Sequence, residues 1–312
     1  MKRFADTLPL VLLGLMLAFF GWLEPRFLAA NSLINLLTQS SSLIVAATGM
    51  TLVLLTAGVD LSLGAIMFVC AAVCGKLALA GVPLPLSVAA LVVSGMVFGA
   101  VNASAIVALR LLPFVVTLAM LYFGRGLALE ITQTRAMNLP EPFLALGRPW
   151  IAIPIMIAVV AAAHILLSRG VIGRHLYALG HSESTALESG LSPKKLLFFV
   201  YIASGLCASV AALLTLGQLG TVSPRFGENR EFTAIAAAVL GGTSLFGGRG
   251  AVLPGTVIGS ILMQSLESGL VMTNADPYCY PVVISAVIFF AVLIDAWKNS
   301  RGGVWRRVRS AS

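Results

Sequence analysis

Long apolar runs with few charges recur along the chain, at 8–23, 36–57, 63–81, 84–108, 112–131, 149–168, 196–217, 232–246, 251–272 and 280–297. Most are close to the roughly 20 helical residues that a hydrocarbon core about 30 Å thick requires. The runs are continuously apolar rather than alternating, so they read as helices and not as strands of a barrel. The expected fold is an all-α integral membrane protein of about ten transmembrane helices. The pattern is weakest in the second and eighth runs, where Ser40-Ser41-Ser42 and Gly241-Gly242 interrupt it. Small and hydroxyl-bearing residues at such places let helices pack closely in lipid. Basic residues ahead of the first run give it the look of a signal peptide, but no small-x-small cleavage pattern precedes Glu24-Pro25-Arg26, and it reads as a retained span.

Composition supports the bilayer as solvent: 59% of residues are hydrophobic and 10% charged, against about 45–50% and about 25% in soluble domains. An even number of spans puts both termini on one side. Placing them in the cytoplasm sends thirteen Lys and Arg inside and leaves seven outside, the direction that the positive-inside rule favours. Residues 1–298 then form the membrane domain, 169–195 a cytoplasmic loop, and 299–312 a basic cytoplasmic tail. Within that loop Tyr177, Ala178, His181, Thr185, Glu188 and Ser189 fall at helical spacing, with Ser182-Glu183 near a helix start, which predicts a short helix lying on the membrane surface. Two glycine-rich breaks, Gly58–Ala65 (GVDLSLGA) and Gly241–Gly250 (GGTSLFGGRG), resemble each other faintly, as the halves of an internal repeat would.

The chemistry on offer is sparse. No GxxxxGK[ST], HExxH or GxSxG string occurs; His164, His175 and His181 have no ligand-like neighbours, and Cys70, Cys74, Cys207 and Cys279 form no cluster. No catalytic residue, metal or cofactor is expected. The formal charge of +8 is scattered over loops and the tail, so nucleic acid is not an expected partner, whereas membrane lipid is. Asn35, Gln39, Ser41, Asn102, Ser104 and Gln264 are the polar residues placed to face a pathway, and they serve equally well as interhelical hydrogen bonds. Asp60, ahead of Ser62 at the start of the third span, reads either as a cap that fixes the loop or as a contact to a transported solute. Arg125, Glu130, Glu267 and Asp295 sit toward span ends, where anchoring at the interface competes with a proton relay.

Five ordered stretches resemble the ribose, galactose and arabinose type of permease from bacterial ATP-binding-cassette sugar importers: GMTLVLLTAGVDLSLGA (49–65), PFVVTLAMLYFGRGLA (113–128), YALGHSESTALESGL (177–191), VYIASGLCA (200–208) and FTAIAAAVLGGTSLFGGRGAVLPGTVIGSIL (232–262). The resemblance implies a multi-pass subunit of the bacterial inner membrane. Its implied partners are a second permease copy or close homologue, a periplasmic sugar-binding protein, and a cytoplasmic ATPase that does the hydrolysis. It maps the coupling segment to Gly180 through Gly190, with Gly180, Glu183, Ala186, Glu188, Ser189 and Gly190 as the residues meeting the ATPase. His181-Ser182 and Ala186-Leu187 depart from the Gly-Asn and Ala-Arg pairs frequent in that family. The rival reading is a secondary transporter driven by an ion gradient, which needs well-buried charge at unwound helices.

Overall fold

The computed structural model describes residues 2–310 and is built almost wholly of helices. In chain order these are α1 (Lys2–Leu23), α2 (Ala30–Leu55), α3 (Leu63–Leu79), α4 (Leu84–Ala108), α5 (Pro113–Thr132), the single turn α6 (Glu141–Leu144), α7 (Pro149–Ser168), α8 (Val171–His181), α9 (Glu183–Glu188), α10 (Pro193–Leu219), α11 (Arg230–Leu240), α12 (Val257–Met272) and α13 (Tyr280–Ser310). A two-residue antiparallel pair, β1 (Met137–Asn138) with β2 (Thr221–Val222), ties together the loops after α5 and α10. Among the described residues α2, α4, α5, α7 and α10 are long and apolar enough to cross a membrane, and α1, α3 and α13 contain shorter apolar stretches.

α2 is the axis of the bundle. Leu43 through Leu55 are buried without a gap, with α7, α10, α11 and α12 packed around them. Its hydroxyl residues break the apolar pattern but not the helix, because they find partners: Ser40, Thr48 and Thr51 donate to the carbonyls four residues back at 2.7, 2.8 and 2.8 Å, and Ser42 donates across to the Ala211 carbonyl of α10 at 2.9 Å. By contrast, α4, α5 and α7 leave Val93, Val97, Phe114, Phe123, Ile157 and Ile165 exposed, a surface that suits lipid. Between these layers α4 crosses α10 at a backbone-on-backbone contact. A Cβ on Gly95 would strike the Gly205 carbonyl, and one on Gly99 would lie 2.9 Å from Ile202 Cα. Here the Gly95-xxx-Gly99 spacing acts as small-xxx-small packing.

The eighth apolar run is not a full span. α11 has 11 residues, about 16 Å at 1.5 Å per residue. The chain reaches it through a stretch of turns that runs beside α3: Val222 Cγ2 lies 3.3 Å from where a Gly75 Cβ would sit, and Met67 Cβ lies 3.3 Å from the Cβ position of Gly227. Pro224, together with positive φ at Gly227 (+67°) and Asn229 (+61°), keeps this stretch from continuing as helix. The sequence pattern overlooked this because Gly241 to Gly250, counted partly as span, is a loop of turns. α12 proper starts at Val257, and α13 runs on past residue 297 into the basic tail; residues 311 and 312 of that tail lie outside the described residues.

Candidate functional site

The single surface helix expected at 177–189 is two helices. α8 ends at His181, and Ser182 turns the chain and caps α9 by accepting the Thr185 amide at 3.3 Å. Gly190, at φ +76°, closes α9: its amide bonds the Leu187 carbonyl at 2.9 Å, and the Leu191 amide bonds that of Ala186 at 3.0 Å. Glu183, Glu188, Ser189 and Gly190 are exposed, as is Leu187, while Ala186 is buried beneath them. The result is a small knob with an apolar and acidic face.

The C-terminal end of α8 rests on the end of α2 and on the second glycine-rich break. A Cβ on Gly180 would collide with the Leu55 carbonyl at the end of α2 and with the Gly248 amide, and those two groups bond each other at 3.0 Å. Tyr177 Oη donates to the Gly250 carbonyl at 2.8 Å, and burial pushes its phenol pKa up, so it stays a donor. On the other flank Asp295 of α13 accepts the Leu245 amide at 3.0 Å and Ser244 Oγ at 3.2 Å. Thus Asp295 fixes the loop before α12, a role that neither interfacial anchoring nor a proton relay anticipates.

Asp60, Ser62 and Asn102 come together and line neither of the two cavities described below. Asp60 is fully buried; its Oδ1 accepts the Ser62 amide (3.0 Å) and Ser62 Oγ (2.5 Å), and its Oδ2 accepts Ser204 Oγ of α10 (2.8 Å). Asn102 Nδ2 of α4 donates to Ser62 Oγ at 2.8 Å. The carboxylate therefore pins the turn into α3 against α4 and α10. Arg125 of α5 donates its Nη1–H to the Phe226 carbonyl at 3.1 Å and its guanidinium lies 5.7 Å from the ring centroid of Phe68 of α3, which holds the turns ahead of α11.

Asn35, Gln39 and Gln264 do share a cavity, of about 580 Å³, between α2, α10, α12 and the start of α11. Gln264 Nε2 reaches Gln39 Oε1 at 3.4 Å and Ser268 Oγ at 3.3 Å. Gln218 at the end of α10 joins them, its Nε2 donating to the Thr38 carbonyl at 2.7 Å and to Ser41 Oγ at 3.3 Å. Arg230 opens α11 and faces Glu267 of α12 with Nη1 and Oε2 3.9 Å apart. This pair also borders a second, more apolar cavity of about 780 Å³ lined by Phe232, Tyr280 and Phe289. Ser104, by contrast, is turned onto its own helix, donating to the Ala100 carbonyl at 2.7 Å. Neither Gln218 nor Arg230 was among the candidates, because a glutamine at a span end and an arginine in an outer loop look like ordinary boundary residues.

A family model described as "Branched-chain amino acid transport system / permease component" matches residues 32–294, from the first turn of α2 to the middle of α13, and takes in both glycine-rich breaks. The chain belongs to this permease family. Relatives of this permease include the ribose import permease protein of Escherichia coli K12, 35% identical over 301 residues and 93% of each chain. The D-allose transport system permease protein of the same organism is 33% identical over 292 residues, covering 91% of this permease and 89% of that protein. The fructose import permease protein of Rhizobium meliloti is 31% identical over 307 residues, covering 93% and 85%. No solved structure matches. The permease is a transporter component rather than an enzyme, and ATP hydrolysis belongs to a separate ATPase.

Proposed function

We propose that this permease is the membrane-spanning subunit of an ATP-driven monosaccharide importer in a bacterial inner membrane. Its relatives are named for ribose, allose and fructose, and their similarity runs over nearly the whole chain. The observation that carries the reading is the seat of α8 on the end of α2 and the second glycine-rich break through Gly180 and Tyr177. A cytoplasmic knob held against the ends of α2 and α11 can receive a push from an ATPase and pass it to helices that line a polar cavity. In this reading Glu183, Leu187 and Glu188 present the docking face, both termini and 169–195 are cytoplasmic, about ten segments cross or enter the bilayer, and 299–312 is a basic cytoplasmic tail. Asn35, Gln39 and Gln264 line the pathway; Asp60, Ser62 and Asn102 fix the loop. A second permease subunit and a periplasmic sugar-binding protein complete the assembly.

The test is reconstitution of the permease with its ATPase and binding protein in vesicles, with D-ribose, D-allose and D-fructose as substrates. ATP inside and a loaded binding protein outside should both be required for uptake. Uptake by the permease alone, driven by an ion gradient, would establish the secondary-transporter reading instead. For topology, a membrane-impermeant thiol reagent should fail to label Ser184→Cys from the periplasmic side in a Cys279→Ser background, since Cys279 is exposed.

A further inference from the structure

We propose that the cavity of about 580 Å³ is a sugar-binding station inside the permease, and that the Arg230–Glu267 pair makes it select neutral sugars over charged ones. The inference rests on the importer reading and adds to it a place where the solute is held.

The chemistry of the lining sets the class of ligand. Asn35, Gln39, Gln218 and Gln264 each present a carboxamide to the cavity, and a carboxamide offers both donors and an acceptor. A sugar hydroxyl likewise donates and accepts, so a ring of hydroxyls can satisfy such a wall where a hydrocarbon or a single-sign ion cannot. Gln218 is held firmly by the Thr38 carbonyl at 2.7 Å, but Gln264 is loose, reaching its two partners at 3.4 and 3.3 Å, near the outer limit of a hydrogen bond. A hydroxyl arriving at Gln264 therefore displaces little. The volume falls within the range of small-molecule sites and exceeds what one monosaccharide fills, which fits a transit point better than a tight trap.

Charge sets the selectivity. Arg230 and Glu267 are the charged residues on the lining, and their charges cancel. At 3.9 Å, with side chains 32% and 25% exposed, they are close enough to neutralise each other yet open enough to hydrogen-bond a neutral solute. An anionic sugar acid entering here meets Glu267 as well as Arg230, and gains no net attraction to offset its lost hydration. Removing either charge should break this balance in a known direction. Because the pair also forms the wall shared with the 780 Å³ cavity, it stands where α11 and α12 would part if the station opened toward α13.

The experiment is a protection assay on the assembled permease and ATPase in lipid nanodiscs. A reporter cysteine replaces Val271, an exposed lining residue outside the polar set, in the Cys279→Ser background. Its rate of alkylation by a charged maleimide is read with and without D-ribose, D-allose, D-fructose or D-glucuronate. At least one neutral sugar should slow alkylation severalfold while glucuronate does not. Glu267→Gln, which keeps the shape and leaves Arg230 uncompensated, should weaken the neutral-sugar effect and make glucuronate protective; Arg230→Gln should not gain glucuronate protection. Absence of protection by all three neutral sugars, in a complex whose ATPase still responds to loaded binding protein, overturns the station and leaves the importer standing. An unchanged preference in Glu267→Gln overturns the selectivity. Protection without any ATPase response supports the station and sinks the importer reading.

Discussion

Gly180→Ala is the smallest change that tests whether α8 transmits force. The added methyl would overlap the Leu55 carbonyl oxygen and the Gly248 amide, with Leu55 C at 3.0 Å, so backbone rather than a flexible side chain must yield. Overpacking of this kind costs about 1–3 kcal/mol. Forcing apart the 3.0 Å bond between Gly248 N and Leu55 O adds about 1 kcal/mol. A sum of about 2–4 kcal/mol shifts the balance between seated and displaced α8 by roughly 30-fold to nearly 1000-fold. No buried residue of a long apolar helix is altered, so insertion and assembly should survive. Uptake, and the rise in ATPase rate on adding loaded binding protein, should both fall at least about tenfold. Gly126→Ala is the matched control: it has nothing within 4 Å of its Cβ position and lies inside a helix, so it should behave as wild type. Wild-type coupling in Gly180→Ala would refute the idea that this contact carries the stroke.

Gly190→Val should uncouple by a different route, because the site is open but its φ of +76° is unfavourable for a branched side chain, costing of order 1–3 kcal/mol; intact uptake would make α9 a mere connector. Glu188→Lys leaves the fold alone and reverses charge on the docking face, so co-purification with the ATPase should drop by an amount worth several kcal/mol if the partner groove is basic. Asp60→Ala strips the acceptor from Ser62 and Ser204, and each orphaned buried donor costs about 1–3 kcal/mol; the purified permease should melt lower, with Asp60→Asn an intermediate case. Gly99→Leu drives a side chain into the backbone of α10 and should cost at least about 1–3 kcal/mol, read as loss of folded protein in detergent.

Helix positions were legible because lipid imposes one rule on every span, continuous apolar length, and α4, α5 and α7 obey it on their own. α2 was harder to bound. Its first turns interleave Asn31, Ser32 and Asn35 with exposed Leu33 and Ile34, so the continuous apolar pattern starts at 36 while the helix starts at Ala30. α11 misled because a half-helix followed by small residues has the same average polarity as a weak span; only the seating of Gly227 and Val222 along α3 separates them. The candidate site divides in the same way. Asn35, Gln39 and Gln264 were visible as amides in apolar surroundings, but Asn102 looked identical in sequence and is spent on Ser62 instead. Which amide faces a cavity depends on the helix crossing, and no local pattern records that. Gly180 was visible as a boundary of the coupling segment, whereas its contact with Leu55, 125 positions earlier, was not.

The separation of the two working regions bears on how they would communicate. Leu55 sits under α8 and Gln39 lines the polar cavity, and both belong to α2. Sixteen residues of unbroken helix span about 24 Å, so the coupling contact and the cavity lie near opposite ends of one rod. A rod this completely buried cannot move alone. Close packing means that tilting α2 displaces α10 and α12, the other walls of the cavity. α11 is bounded by non-helical chain on both sides, turns before it and the glycine-rich loop after it, so it can turn as a short rigid piece about those two joints. Arg230 stands at the far end of that piece, and the loop at its near end is held by Tyr177 and Asp295. A push on α8 would therefore reach the cavity twice, through a tilt of α2 at Gln39 and through a swing of α11 at Arg230. Straining one joint separates these routes: Gly242→Val, at φ +93° with nothing within 4 Å of its Cβ position, disturbs the loop after α11 and leaves α2 untouched; the proposed mechanism requires uptake to fall, and full uptake would leave the tilt of α2 as the sole route.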